Sequence, residues 1–160
     1  MGDLTRNLSL WEFACHCGCG LNAIPQLLAD AGQQLRDRIN ILYASNDDIP
    51  RNAAGEIPLH IICGRRCEKH NRHIARAKVA SRHVMPGDAM DVLVHGLTSA
   101  QLYEAAEDVT AFRTAGGLGV YPEYGTLHAD VRGYPARWGW IDSQGYVKIK
   151  PALAWPQKVA

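Results

Sequence analysis

The sequence predicts an α+β fold in which a small, mostly antiparallel sheet packs with helices. Two patterns carry that prediction. Apolar residues recur at three- and four-residue spacing over 25–44 and again over 98–112, whereas short apolar runs bounded by turn residues occupy 57–62, 89–94, 117–121 and 126–131. A third observation concerns organisation: no internal repeat, low-complexity tract or Pro/Gly/Ser-rich linker interrupts the 160 residues. One domain is therefore expected, with a Cys-containing segment over 1–24 and a C-terminal tail over 141–160.

The elements follow in order. Ile24-Pro25 leads into a first helix whose apolar face is expected to comprise Leu27, Leu28, Ala31, Leu35, Ile39 and Leu42. The polar stretch Ser45-Asn46-Asp47-Asp48-Ile49-Pro50 ends it, and Ile57-Pro58-Leu59-His60-Ile61-Ile62 reads as a buried strand. Residues 67–80 hold helix formers without a wide apolar stripe, which predicts a short, partly exposed helix. Ala89 to Val94 alternates as a strand. Thr98 to Phe112 repeats Leu102, Ala105, Ala106, Val109 and Phe112 at helical spacing, with Thr98 and Gln101 placed for a capping box. Gly117 to Tyr121 and Thr126 to Val131 then form two strands joined by a turn around Pro122 to Gly125.

Charge and length exclude several classes. Seventeen basic against sixteen acidic side chains leave a formal charge of +1, so no broad positive field exists to hold nucleic acid. No run of about 18 apolar residues is present, which argues against membrane insertion. The N-terminus lacks a basic region followed by an apolar one, so no signal peptide is expected and the chain is read as cytoplasmic at synthesis. The cysteine count is odd, and three of the five crowd into Cys15-His16-Cys17-Gly18-Cys19, where adjacent thiols pair badly with one another. A reduced compartment is the simpler expectation.

The segments with chemistry are Cys63-Gly64-Arg65-Arg66, Ser81-Arg82-His83, Pro86-Gly87-Asp88-Ala89-Met90-Asp91, Gly119-Val120-Tyr121-Pro122 and His128-Ala129-Asp130. They set imidazole, carboxylate and imidazole where sharp turns meet strands. A hydrolytic zinc site needs about three such ligands and one open position for water, and His83, Asp91 and His128 supply the set. On a strand, residues two apart share a face, so Asp130 is expected beside His128, positioned to take a proton from the bound water.

In this order the motifs resemble the zinc D-alanyl-D-alanine peptidases and related murein endopeptidases of the M15 class, which share a core with the hedgehog signalling domain. The resemblance spans about residues 7–140 and rests on a Ser-Gly-Tyr-Arg-like stretch at Cys63 to Arg66, Ser-x-His at Ser81 to His83, Gly-x-Ala-x-Asp at Gly87 to Asp91, and His-x-Asp at His128 to Asp130. The opening Asn7 to Phe13 followed by cysteines is similar to phage and prophage members, which implies access to the wall through phage lysis or a virion. The resemblance implies zinc as cofactor and a stem peptide of bacterial peptidoglycan as substrate, cut by carboxypeptidase or endopeptidase action. It also implies that Arg66 holds a substrate carboxylate, consistent with the bidentate fit of a guanidinium. Ser81 shapes the turn or bonds a ligand, and Tyr121 and Trp138 line the cleft.

Two departures stand out. His83 and Asp91 enclose seven residues where the family loop has six, so Met85-Pro86 reads as a one-residue insertion. Family members often carry an acidic base three residues before the last ligand, a position held here by Gly125. That leaves Asp130 as base with His128 on zinc, the exchange of those two roles, or Glu123 as base. The alternatives to a peptidase are a metal-containing binding module on the same core and a thiol-based redox or structural protein. A second, structural metal could draw on Cys15, Cys17 or Cys19 with Cys63 or Cys67, while His60, His70, His73 and His95 read as ordinary core or surface residues.

Overall fold

A computed structural model describes residues 2–74, 77–141 and 145–148. Among the described residues, four α-helices, α1 (Gln26–Leu42), α2 (Glu68–His73), α3 (Ser99–Glu107) and α4 (Thr110–Ala115), accompany six strands. These are β1 (His60–Cys63), β2 (Ala89–Leu93), β3 (Gly117–Tyr121), β4 (Thr126–Asp130), β5 (Ala136–Ile141) and β6 (Gly145–Lys148), ordered β1-β2-β4-β3-β5-β6 in one sheet. Among the described strands only the β3–β5 pairing is parallel. The α+β prediction thus holds. No helix among the described residues is long and apolar enough to cross a membrane.

Strand alternation divides the sheet into two faces. Met90, Ala129 and Leu118 form one cross-strand row and Val92, Leu127 and Val120 another, and all six are buried in the core with Leu28, Leu35 and Ile39 of α1 and Leu102, Ala105 and Ala106 of α3. The opposite face carries the row Asp91, His128, Gly119 and Trp138 on β2, β4, β3 and β5. One face packs the core and the other carries the candidate site residues Asp91 and His128.

Several expected elements change in detail. Leu27 and Leu42 leave the apolar face of α1 and are exposed, because Leu27 lies one residue, about 100° of helix, from the buried Leu28 and Leu42 ends the helix. The strand expected from Ile57 begins only at His60: Pro58 has no N–H to give a ladder, and Ile57 instead exchanges two hydrogen bonds with the Asn40 side chain. The capping box at Thr98 forms as expected. The helix it starts breaks at Asp108 and Val109, however, where Asp108 pairs with Arg38 at 2.7 Å and the β-branched Val109 turns extended. The short α4 then carries Phe112 into the core, and its final carbonyls accept bonds from the buried Arg137, which also pairs with Glu107. Helix α2 ends at His73, inside the expected 67–80, and residues 75 and 76 lie outside the described residues. In the segment read as a tail, Gly145–Lys148 forms β6 against β5; residues 142–144 and 149–160 lie outside the described residues.

Candidate metal centre

Register brings the first two site residues together. Asp91 on β2 and His128 on β4 are direct cross-strand partners on the face opposite the core. His83 reaches them from the turn before β2, where the carbonyl of Ser81 accepts hydrogen bonds from Val84 and Met85 and the Met85-Pro86 peptide is cis. The turn is pinned from both sides: the Arg66 amide donates to the His83 carbonyl at 2.9 Å, and Arg82 grips Asp88 through both carboxylate oxygens.

Three atoms converge as a result. His83 Nε2 lies 3.2 Å from His128 Nδ1 and 3.3 Å from Asp91 Oδ1, and the last two are 2.9 Å apart. A tetrahedral zinc with bonds near 2.0 Å has ligand–ligand edges of about 3.3 Å. The outer hydrogen bonds assign the tautomers. His83 Nδ1 lies 2.7 Å from the Gly64 carbonyl, which can only accept, so Nδ1 carries the proton. His128 Nε2 lies 3.0 Å from Asp130 Oδ2, so there too the outer nitrogen carries it. Two imidazole lone pairs and a carboxylate oxygen are left facing one another, a set of acceptors that demands a cation or a shared proton. The residues fit a divalent ion such as zinc. His83 and His128 are buried, while Asp91 keeps 23% of its side chain exposed and opens the cluster to solvent.

Asp130 stands beside His128, as the two-residue spacing predicts, on the side of the ring away from His83 and Asp91. It is fully buried behind His128, where it accepts the amides of Gly117 and Arg132 and is held by Arg132 from Nε at 2.8 Å and from Nη2 at 2.5 Å. Burial alone would raise its pKa, but the bonds to Arg132 and His128 outweigh it and hold the carboxyl well below the usual carboxylate range. His128 responds in kind: burial opposes its charging, yet Asp130 and Asp91 push it up to about 9. The atom that meets His83 and Asp91 is therefore His128 Nδ1, and Asp130 contacts the opposite ring nitrogen.

The surrounding residues fall into place by strand position. Gly119 lies between His128 and Trp138 in the row, and its missing side chain lets the indole cross β3 to within 5.2 Å of the His128 ring, centroid to centroid. A Cβ there would stand 2.4 Å from Trp138 Nε1. The same nitrogen donates to Tyr121 Oη at 3.4 Å, and Arg132 stacks 4.7 Å from the indole. Arg66 donates from Nη1 to Asn71 at 3.2 Å, and its buried Nε has no partner among the described residues. Gly125 ends the 3-10 turn Pro122–Tyr124, on which Glu123 is exposed.

Cys63, beside Asp91 on β1, also comes close. Its sulfur and the ligand-type atoms of His83 and Asp91 lie within 4.8 Å of one another, but it approaches His83 at Nδ1, 3.7 Å away, on the edge committed to the Gly64 carbonyl. Sequence reasoning did not single out the Gly64 carbonyl or Arg132. The former is backbone and has no residue signature, and the latter could be found only by asking what neutralises a buried Asp130.

The sequence pattern of Peptidase_M15_2, described as peptidoglycan L,D-endopeptidase MepK, matches residues 8–138. The chain belongs to this family of M15 peptidases. Its members are peptidoglycan-hydrolysing enzymes, and the match agrees with the resemblance carried by the His83, Asp91 and His128 motifs. No curated protein and no solved structure matches the chain.

Proposed function

We propose that this M15 peptidase is a zinc-dependent endopeptidase of peptidoglycan, with His83 Nε2, Asp91 Oδ1 and His128 Nδ1 as the protein ligands. One observation carries the reading: three donor atoms from three separate segments, each with its lone pair turned inward, stand 2.9–3.3 Å apart. Zinc bound there would polarise the scissile carbonyl and lower the pKa of a water towards neutrality. The family description favours endopeptidase action over carboxypeptidase action.

The chain's own residues orient and bind. Gly64 and Asp130 lock the two imidazoles in the ligating tautomer, as outer partners of metal ligands do. Asp130 is accordingly a positioning residue here, since Arg132, His128 and two amides already occupy its oxygens; this reading replaces its role as base. Arg66 is assigned to a carboxylate of the stem peptide, supported by its unpartnered buried Nε and its bond to the His83 segment. Ser81 shapes the turn that delivers His83, and Tyr121 with Trp138 walls the cleft beside His128.

The test uses purified sacculi. New amino groups should be released by the zinc-loaded protein, release should stop with chelator, and zinc should restore it. Metal bound with no release would instead make the chain a binding module on a peptidase core. Mass spectrometry of the fragments identifies the bond, and loss of a single terminal residue would overturn the endopeptidase assignment.

A further inference from the structure

Away from the triad, four of the five cysteines meet. Cys15, Cys17 and Cys19 come from the loop after the 3-10 turn Leu10–Phe13, Cys67 from the residue that caps α2, and their four sulfurs all lie within 4.8 Å of one another. Cys15 Sγ is 3.4 Å from Cys17 Sγ, which is 3.6 Å from Cys67 Sγ. Edges of a zinc tetrahedron built from thiolates at 2.3 Å run about 3.8 Å.

The surroundings suit thiolates. The Cys67 amide donates to Cys15 Sγ at 3.3 Å, the His70 amide donates to Cys67 Sγ at 3.3 Å, and His70 Nδ1 stands 3.3 Å from Cys15 Sγ. The loop gathers its sulfurs on one side, Cys15 buried and Cys17 and Cys19 exposed: the Cys15 amide donates to the Leu21 carbonyl across the loop at 2.7 Å, and Gly18, with φ +76°, closes the turn onto the Cys15 carbonyl. Nothing in the peptidase chemistry uses these side chains. Four soft donors from two segments, all within 4.8 Å of one another and with hydrogen-bond donors turned towards the Cys15 and Cys67 sulfurs, match the closed donor set of a structural zinc rather than an open hydrolytic one.

We propose that Cys15, Cys17, Cys19 and Cys67 bind a structural zinc ion, with His70 as a hydrogen-bond partner of the Cys15 thiolate. Its place in the chain defines its work. Cys67 directly follows Arg66, whose amide holds the His83 carbonyl, and Arg65 is itself tied to Phe13 at 2.8 Å. The ion clasps the N-terminal loop to the segment that carries the substrate arginine and braces the first site. Loading releases the thiol protons, so affinity rises with pH.

Metal analysis of the full chain tests this independently of catalysis. The wild-type protein should carry two zinc ions, and a His83→Ala/Asp91→Ala variant should keep one. Cobalt exchanged into that variant should give thiolate-to-cobalt charge-transfer absorption in the near ultraviolet, and Cys19→Ser should abolish it. If Cys19→Ser does not fold, the double variant alone decides: no bound metal and no charge-transfer band overturns the proposal. So does finding these thiols joined as disulfides in protein purified without reductant. Because the triad is disabled in that variant, failure of the peptidase reading leaves the result intact.

Discussion

His128 and Asp130, two residues apart on β4, share a 3.0 Å hydrogen bond from Nε2 to Oδ2, and Arg132 donates to both oxygens of the same carboxylate. An orienting carboxylate and a catalytic base fail differently when altered. Asp130→Asn should weaken zinc binding by about 10- to 100-fold, the usual cost of losing an outer partner of a metal-bound histidine, with activity partly recovered at high zinc. Metal titration beside sacculus digestion checks it. Unchanged zinc affinity with lost turnover would return Asp130 to the role of base.

Gly119→Ala addresses the sheet row that builds the site. The new methyl would stand 2.4 Å from Trp138 Nε1, so the indole must leave the His128 ring or the strands must part. A destabilisation of about 1–3 kcal/mol is expected, as for overpacking elsewhere. Adding Trp138→Ala should recover most of that loss in a double-mutant cycle of thermal or denaturant unfolding. Additive losses would mean that the two side chains do not compete for this space.

The legible part of this chain is what periodicity and spacing encode. Alternation in Ala89–Leu93 and Thr126–Asp130 placed Asp91 and His128 on strands, and the two-residue spacing put Asp130 on the same face as His128. Which ring nitrogen each carboxylate meets depends on side-chain rotation and on Arg132, neither of which has a period. The break at Val109 was hidden because Phe112 keeps helical spacing across it, and β5 was hidden because the positions it sets beside Leu118 and Val120 of the core rows are Arg137 and Gly139, which break the apolar alternation of a strand. The cysteine cluster shows the same limit: the residue types were visible, but only folding chose Cys67 over Cys63 to join Cys15, Cys17 and Cys19.

Protonation of His128 should stabilise the metal-free protein in a defined window. Its folded pKa of about 9 exceeds the ordinary 6.5, because the bonds and charges of Asp130 and Asp91 outweigh burial. The contribution is therefore complete below about pH 6.5 and is lost as pH rises through about 9. Thermal midpoints of chelated protein should fall across that interval. Zinc-loaded protein should not follow, since the ion takes the place of the proton. Equal slopes with and without zinc would mean that the ion does not bind at His128.

Cys63→Ser decides whether the first site is open or closed. A fourth protein donor would remove the position a water needs, and Cys63 is the described thiol nearest to that role, 3.7 Å from His83 Nδ1. The Nδ1 proton, however, is committed to the Gly64 carbonyl at 2.7 Å, so the sulfur faces the edge of the ring opposite the ligating Nε2. Serine should accordingly leave zinc affinity and sacculus digestion within about threefold of wild type, a change under about 1 kcal/mol. A drop in affinity of 100-fold or more would make Cys63 a ligand and the centre a sealed one. Peptidase action would then have to begin with release of that sulfur, and the three-donor reading of His83, Asp91 and His128 would fall.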